Sequence, residues 1–99
     1  MSKRRITSFG SMATLKVASH TIELLRFVRE GRDHIHDSYE HAVCLSGPSE
    51  IIIGGDVHDV TVGRVYSVPP GTPHRMRPLT DEPSVWLLWY GEQIAVNAS

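Results

Sequence analysis

Glycine and proline punctuate most of this chain, and the segments between them read as short β-rich runs. Gly31, Gly47-Pro48, Gly54-Gly55, Gly63, Pro69-Pro70-Gly71, Pro73, Pro78, Pro83 and Gly91 punctuate it from the first third onward. The segments left between them, 21–28, 34–36, 42–45, 50–53, 57–62, 64–68, 74–77 and 85–90, are rich in β-branched and aromatic residues. Strands at a spacing of roughly 8–12 residues with turn signals between them argue an all-β sandwich or barrel. No segment keeps a helical period over three turns. Residues 8–15 leave a short helical turn open. The segment 85–90, Val-Trp-Leu-Leu-Trp-Tyr, is apolar on both faces. It reads as a strand covered on both sides, inside a sandwich or at a subunit interface.

At 99 residues the chain has room for one domain and a thin core. We expect a single domain over 1–99, with 1–17 an N-terminal extension and roughly 18–92 the barrel. A content of 40% hydrophobic and 21% charged residues is that of a globular protein. The net charge of -1 gives no electrostatic footprint for nucleic acid. Lys3, Arg4 and Arg5 form a short basic cluster without aromatic interleaving, best read as a solvated tail. Cys44 is the single cysteine, so no intramolecular disulfide forms. No apolar run approaches the roughly 20 residues that span a bilayer. Polar residues interrupt 6–15, which therefore lacks the apolar centre of a signal peptide. The cytoplasm is the expected compartment, and no membrane or nucleic-acid partner is expected.

His34 and His36 lie two residues apart, Glu40 follows four residues later, and His74 comes just after the Pro69 to Pro73 turn. On a strand, residues two apart share a face. Three imidazoles and a carboxylate suit a divalent transition metal with vacant positions for a ligand. Closed structural zinc sites are usually rich in cysteine, and this chain has one.

The same residues carry a resemblance. Gly31, His34, His36, Glu40 and Gly47 have the order of the first motif of the cupin superfamily, and Gly63, Pro69, Gly71 and His74 that of the second. The chain departs from the pattern twice. Pro78 stands where the second motif usually ends in Asn, and the interval from Gly31 to His34 is shorter than usual. Neither departure touches the histidines or the glutamate. The resemblance implies a double-stranded β-helix, the jelly-roll barrel, with His34, His36, Glu40 and His74 as ligands of iron, manganese, nickel, zinc or copper.

Alternation puts Ala42, Cys44 and Ser46 on the face of Glu40, and Met76 on the face of His74. With Tyr66 and Trp86, Ala42, Cys44 and Met76 are the expected walls of a substrate pocket. Tyr39 and Trp89 are further candidates. For Cys44 the plainer reading is a small inert core residue. His41 should point away from the metal.

The implied function is a metal-dependent enzyme of dioxygenase type on a small polar hydroxy-carbonyl or sugar-like substrate, with Glu40 moving a proton. A non-catalytic binding or sensing barrel and a metal-dependent isomerase are the alternatives. A second acid or base in the pocket would separate them. A homodimer is expected from the apolar segment 85–90.

Overall fold

The computed structural model describes residues 3–92, and its described residues form nine strands and no helix. They are β1 (Lys3–Ile6), β2 (Gly10–Val17), β3 (His20–Phe27), β4 (Tyr39–Ser46), β5 (Ser49–Ile53), β6 (Asp56–Asp59), β7 (Val65–Val68), β8 (His74–Pro78) and β9 (Ser84–Gly91). Six of them form one sheet in the order β1-β2-β3-β9-β4-β7, and the other three pair as β6-β5-β8. All ladders are antiparallel. The two sheets enclose one interior, the all-β barrel expected from the punctuation, in the jelly-roll form that the resemblance implied.

Residues 10–17 are a full strand and not a helical turn. They pair along their whole length with β3, from Gly10 opposite Phe27 to Val17 opposite His20. The N-terminal segment thus supplies two strands of the larger sheet. Burial along β2 does not alternate cleanly, so its period was too weak to read. Residues 34–36, expected as a strand, hold only one bridge, between His34 and His74.

β9 sits between β3 and β4 at the middle of the larger sheet. Its two apolar faces differ. Ser84, Trp86 and Leu88 are buried, while Val85, Leu87 and Trp89 are half-buried on the other face. Leu25 and Phe27 of β3 share the inner side, and the aromatic ring of Phe27 stacks on Phe9 at 4.4 Å.

The interior divides along its length. At one end Ala42, Cys44, Ile51, Val68 and Trp86 make a close-packed core with almost no exposed surface. Four expected pocket residues lie in or against that core and do not line the cavity described below. Ala42, Cys44 and Trp86 are fully buried in it. The Cys44 thiol donates to the carbonyl of Ser46 at 3.3 Å, the contact of an inert structural cysteine. Tyr66 packs on its edge, where its hydroxyl accepts from the Thr61 amide and donates to the Asp59 carbonyl. Parity chose the correct face for Ala42 and Cys44 but could not say how far along the barrel the space ends. It failed for Ser46, because a register shift between Cys44 and Ser46 leaves Ser46 exposed.

His41 points away from His36, Glu40 and His74, as expected, yet is buried. It bonds Ser67 Oγ at 2.8 Å and the Glu92 carbonyl at 2.9 Å, between the rings of Tyr39 and Trp89. Tyr39 and Trp89 therefore belong to the outer side of the sheet.

Candidate metal centre

Residues 28–38 connect β3 to β4 and cross the open end of the barrel. Backbone hydrogen bonds fasten them to β8. The Gly31 amide donates to the Met76 carbonyl at 3.0 Å, and His34 and His74 exchange both of their backbone bonds at 2.9 and 3.1 Å. Arg75 adds two ion pairs from β8, to Glu30 and to Asp33. Both partners sit on the crossing segment, so a single guanidinium holds it from two sides.

The turn before β8 is fixed by its residue types. Two prolines preset φ, and Gly71 takes φ 74°, a conformation that disfavours a side chain. The Gly71 amide donates to the carbonyl of His36 at 2.9 Å. The turn that delivers His74 thus also positions His36.

Side chains from these pieces meet at Glu40. Its Oε1 lies 3.1 Å from His36 Nε2 and 2.9 Å from His74 Nε2. Glu40 and His74 are both buried. His36, Glu40 and His74 each offer a ligand atom, all within 4.8 Å of one another. His34 stands at the lip, exposed, its ring centroid 6.2 Å from those of both His36 and His74. Of the four expected ligands, three converge and the fourth faces them from the mouth.

Two observations show that this cluster fits a cation. The buried Oε2 of Glu40 has no hydrogen-bond partner among the described residues. A buried unpaired carboxylate oxygen is costly unless something positive sits on it. The second concerns His74. Its Nδ1 lies 3.0 Å from the Thr72 carbonyl, to which only an N–H can donate. A neutral imidazole has one ring proton, so Nε2 then carries a lone pair aimed at Glu40. That is the orientation of a ligating histidine with its other nitrogen anchored by a backbone carbonyl. Without a metal the same geometry favours the imidazolium. Burial lowers the pKa of His74, but the hydrogen bonds to Glu40 and the Thr72 carbonyl, with the charges of Glu40 and Asp33, outweigh it and leave it raised.

Beside the cluster opens a cavity of about 200 Å³. Phe9, Met12, Leu25, Phe27, Met76 and Leu88 form its apolar wall. Met76 is the one expected pocket residue that lines it. Glu23 and Tyr90 also line it and were missed. The Tyr90 ring meets the edge of His36 at 4.9 Å, and its hydroxyl donates to Glu23 Oε1 at 3.0 Å. Burial raises the Tyr90 pKa far above its ordinary value, and the carboxylates of Glu40 and Glu23 push the same way, so the phenol keeps its proton. A signal for both was present: Glu23 has the parity of Leu25 and Phe27, and Tyr90 that of Trp86 and Leu88.

A model of the cupin domain matches residues 19–90. The chain belongs to the cupin family. Solved structures of this fold include a variant of oxalate decarboxylase from Bacillus subtilis, 20% identical, with a TM-score of 0.78 over 92% of this chain and 27% of that one. Another is the plu4264 protein from Photorhabdus luminescens, 15% identical, with a TM-score of 0.77 over 90% of this chain and 81% of that one. This cupin therefore spans about a quarter of the oxalate decarboxylase chain and most of the second protein. At these identities the likeness speaks for the fold. No curated protein sequence matches the chain. No helix among the described residues is long and apolar enough to cross a membrane.

Proposed function

We propose that this cupin is a metal-dependent enzyme that holds a small hydroxy-carbonyl molecule at the mouth of the barrel and carries out dioxygenase-type chemistry on it. The observation that supports this most is the Glu40 carboxylate, buried, with one oxygen shared by two imidazole nitrogens and the other unpartnered. His36, Glu40 and His74, with His34 as fourth ligand, would hold iron, manganese, nickel, zinc or copper. When bound, such an ion supplies Lewis-acid chemistry and, for a redox metal, electron transfer.

The protein's own residues set the conditions around that ion. The apolar wall displaces water from the reacting end of the ligand, which strengthens every charge interaction there. The Thr72 carbonyl fixes the tautomer of His74, and the Arg75 ion pairs fix the segment bearing His34 and His36. Glu40 would take a proton as well as ligate.

Metal-dependent isomerisation is a second reading, favoured by Glu23 and Tyr90. They put a second carboxylate inside the cavity, oriented by a phenol that keeps its proton, and a second base is what proton transfer needs. A homodimer is proposed on the outer face of the larger sheet, where Leu24, Leu87 and Trp89 stand half-buried on neighbouring strands. The single buried cysteine suits a reducing cytoplasm.

The test is elemental analysis of untagged protein, wild type against His36→Ala. Near-stoichiometric metal in the wild type, lost in the variant, supports the site. Iron or manganese would favour oxygen chemistry, and nickel or zinc would favour the isomerase reading. A wild type that stays metal-free in excess divalent ions would sink the metal reading and leave a binding barrel.

A further inference from the structure

Glu23 is unusual for its surroundings. It projects from β3 into a cavity whose wall, away from the histidine and Glu40 cluster and from Arg32 and Arg75, is hydrocarbon and aromatic ring. Among the described residues the Tyr90 hydroxyl is its one hydrogen-bond donor, and no ion pair reaches it. A carboxylate has about four acceptor sites, so most of its capacity faces the cavity unused. The two arginines nearby do not neutralise it. Both line the cavity, but Arg75 is engaged with Glu30 and Asp33, and Arg32 is exposed at the mouth, where solvent screens its charge.

The charge of Glu23 changes what the metal centre attracts. Three neutral imidazoles and one carboxylate leave a divalent ion with one positive charge, which alone would draw an anion. Glu23 in the same cavity, deeper than the exposed Arg32, offsets that charge. A dianion then gains little from the site and must desolvate two carboxylates against an apolar wall. A neutral hydroxyl has the opposite balance, because it can donate to Glu23 in a charge-assisted hydrogen bond. The volume of about 200 Å³ suits a body of one small ring or a short branched chain.

We propose that the cavity takes a small amphipathic molecule, a hydrocarbon or aryl body bearing a hydroxyl next to its metal-binding oxygen. Glu23, oriented by Tyr90, accepts the hydrogen bond from that hydroxyl and so selects hydroxylated neutral molecules over dicarboxylates. This rests on the metal reading above and narrows its substrate class away from sugars, whose many hydroxyls would meet an apolar wall.

The test uses two probes of like shape and different heads, 4-methylcatechol and phthalate, titrated into the zinc-loaded full chain and followed by ¹⁵N–¹H correlation spectra. The zinc content is measured separately. Wild type is expected to bind the catechol roughly tenfold more tightly than phthalate, about what one hydrogen bond to a charged group supplies. Amide shifts should centre on Glu23, Leu25, Leu88 and Tyr90. In Glu23→Gln the preference should collapse, with phthalate gaining. Equal or tighter binding of phthalate by wild type overturns the proposal. So does an unchanged preference in Glu23→Gln, or binding of neither probe. If that variant loses its dispersed spectrum, Tyr90→Phe carries the test, since an unanchored Glu23 should also discriminate less. Zinc bound without preference overturns this proposal alone. Failure of wild type to bind zinc overturns the metal reading, and this proposal with it.

Discussion

The two ends of the barrel interior are built on the same strands and have opposite characters. On β4 and β9 the register sets Cys44 opposite Trp86 at one end and Glu40 opposite Tyr90 at the other. The Cys44 end is closed by Ala42, Ile51 and Val68; Trp86 Nε1 and Ser84 Oγ are buried there without hydrogen-bond partners among the described residues, but neither residue lines the cavity at the Glu40 end. The Glu40 end gathers two histidines, two carboxylates and a phenol around a cavity. The lesson concerns division of labour. A close-packed end supplies the apolar burial that folding needs, and this lets the other end carry buried charge that by itself disfavours folding.

Substitutions at each end should separate stability from metal binding. Trp86→Ala should have the largest effect. It empties a fully buried indole site and should cost about 3–5 kcal/mol in urea unfolding, while any protein still folded binds metal as before. A cost near zero would mean that the packed end does not carry the fold.

His74→Ala should act the other way. Metal affinity should fall by more than about 100-fold, beyond the usual effect of residues that merely orient a ligand. Removing a bulky buried ring should have a smaller effect on metal-free stability than Trp86→Ala. Isothermal titration of the metal into each variant checks this, and retained affinity would exclude His74 as a ligand.

Arg75→Ala is expected to be intermediate. It breaks the two ion pairs to Glu30 and Asp33, which are partly exposed and contribute little to stability. It also frees the segment bearing His34 and His36, so metal affinity should drop about 10-fold to 100-fold. An unchanged affinity would show that the backbone bonds from Gly31 and His34 suffice.

The smallest effect is on pH dependence. His74 has a raised pKa in the metal-free fold, so its proton is held more tightly folded than unfolded. Its contribution to stability is fully present below the ordinary 6.5 and is lost as pH rises through the raised folded value. Metal-free protein should therefore lose part of its denaturation midpoint over that window. Metal-loaded protein should show the reverse trend, because the ligand must be deprotonated to bind. The two curves diverging as pH rises, measured by urea unfolding at several pH values, would sharpen the contrast. Parallel curves would remove His74 from the metal site.

Much of the architecture was legible because its signals are local. Gly and Pro between short β-rich segments marked seven of the nine strands, and the motif spacing picked out His36, Glu40 and His74. The failures have physical causes. β2 was missed because its burial does not alternate, and its strand character comes from a long ladder with β3. Ala42 and Cys44 were assigned to the correct face but the wrong end, since parity reports direction and not depth.

The sequence by itself determined the barrel, the histidine and glutamate types of the cluster and the turn that presents His74, all properties of residue type and short spacing. Only the tertiary structure decided that β3 and β9 place Glu23 and Tyr90 in that cavity, because they lie 67 positions apart and meet through a ladder no local pattern encodes. The same packing set His34 at the lip rather than in the cluster, and gave the pocket an apolar wall from Phe9 to Leu88. Distance along the chain hides such contacts until sheet register brings them together.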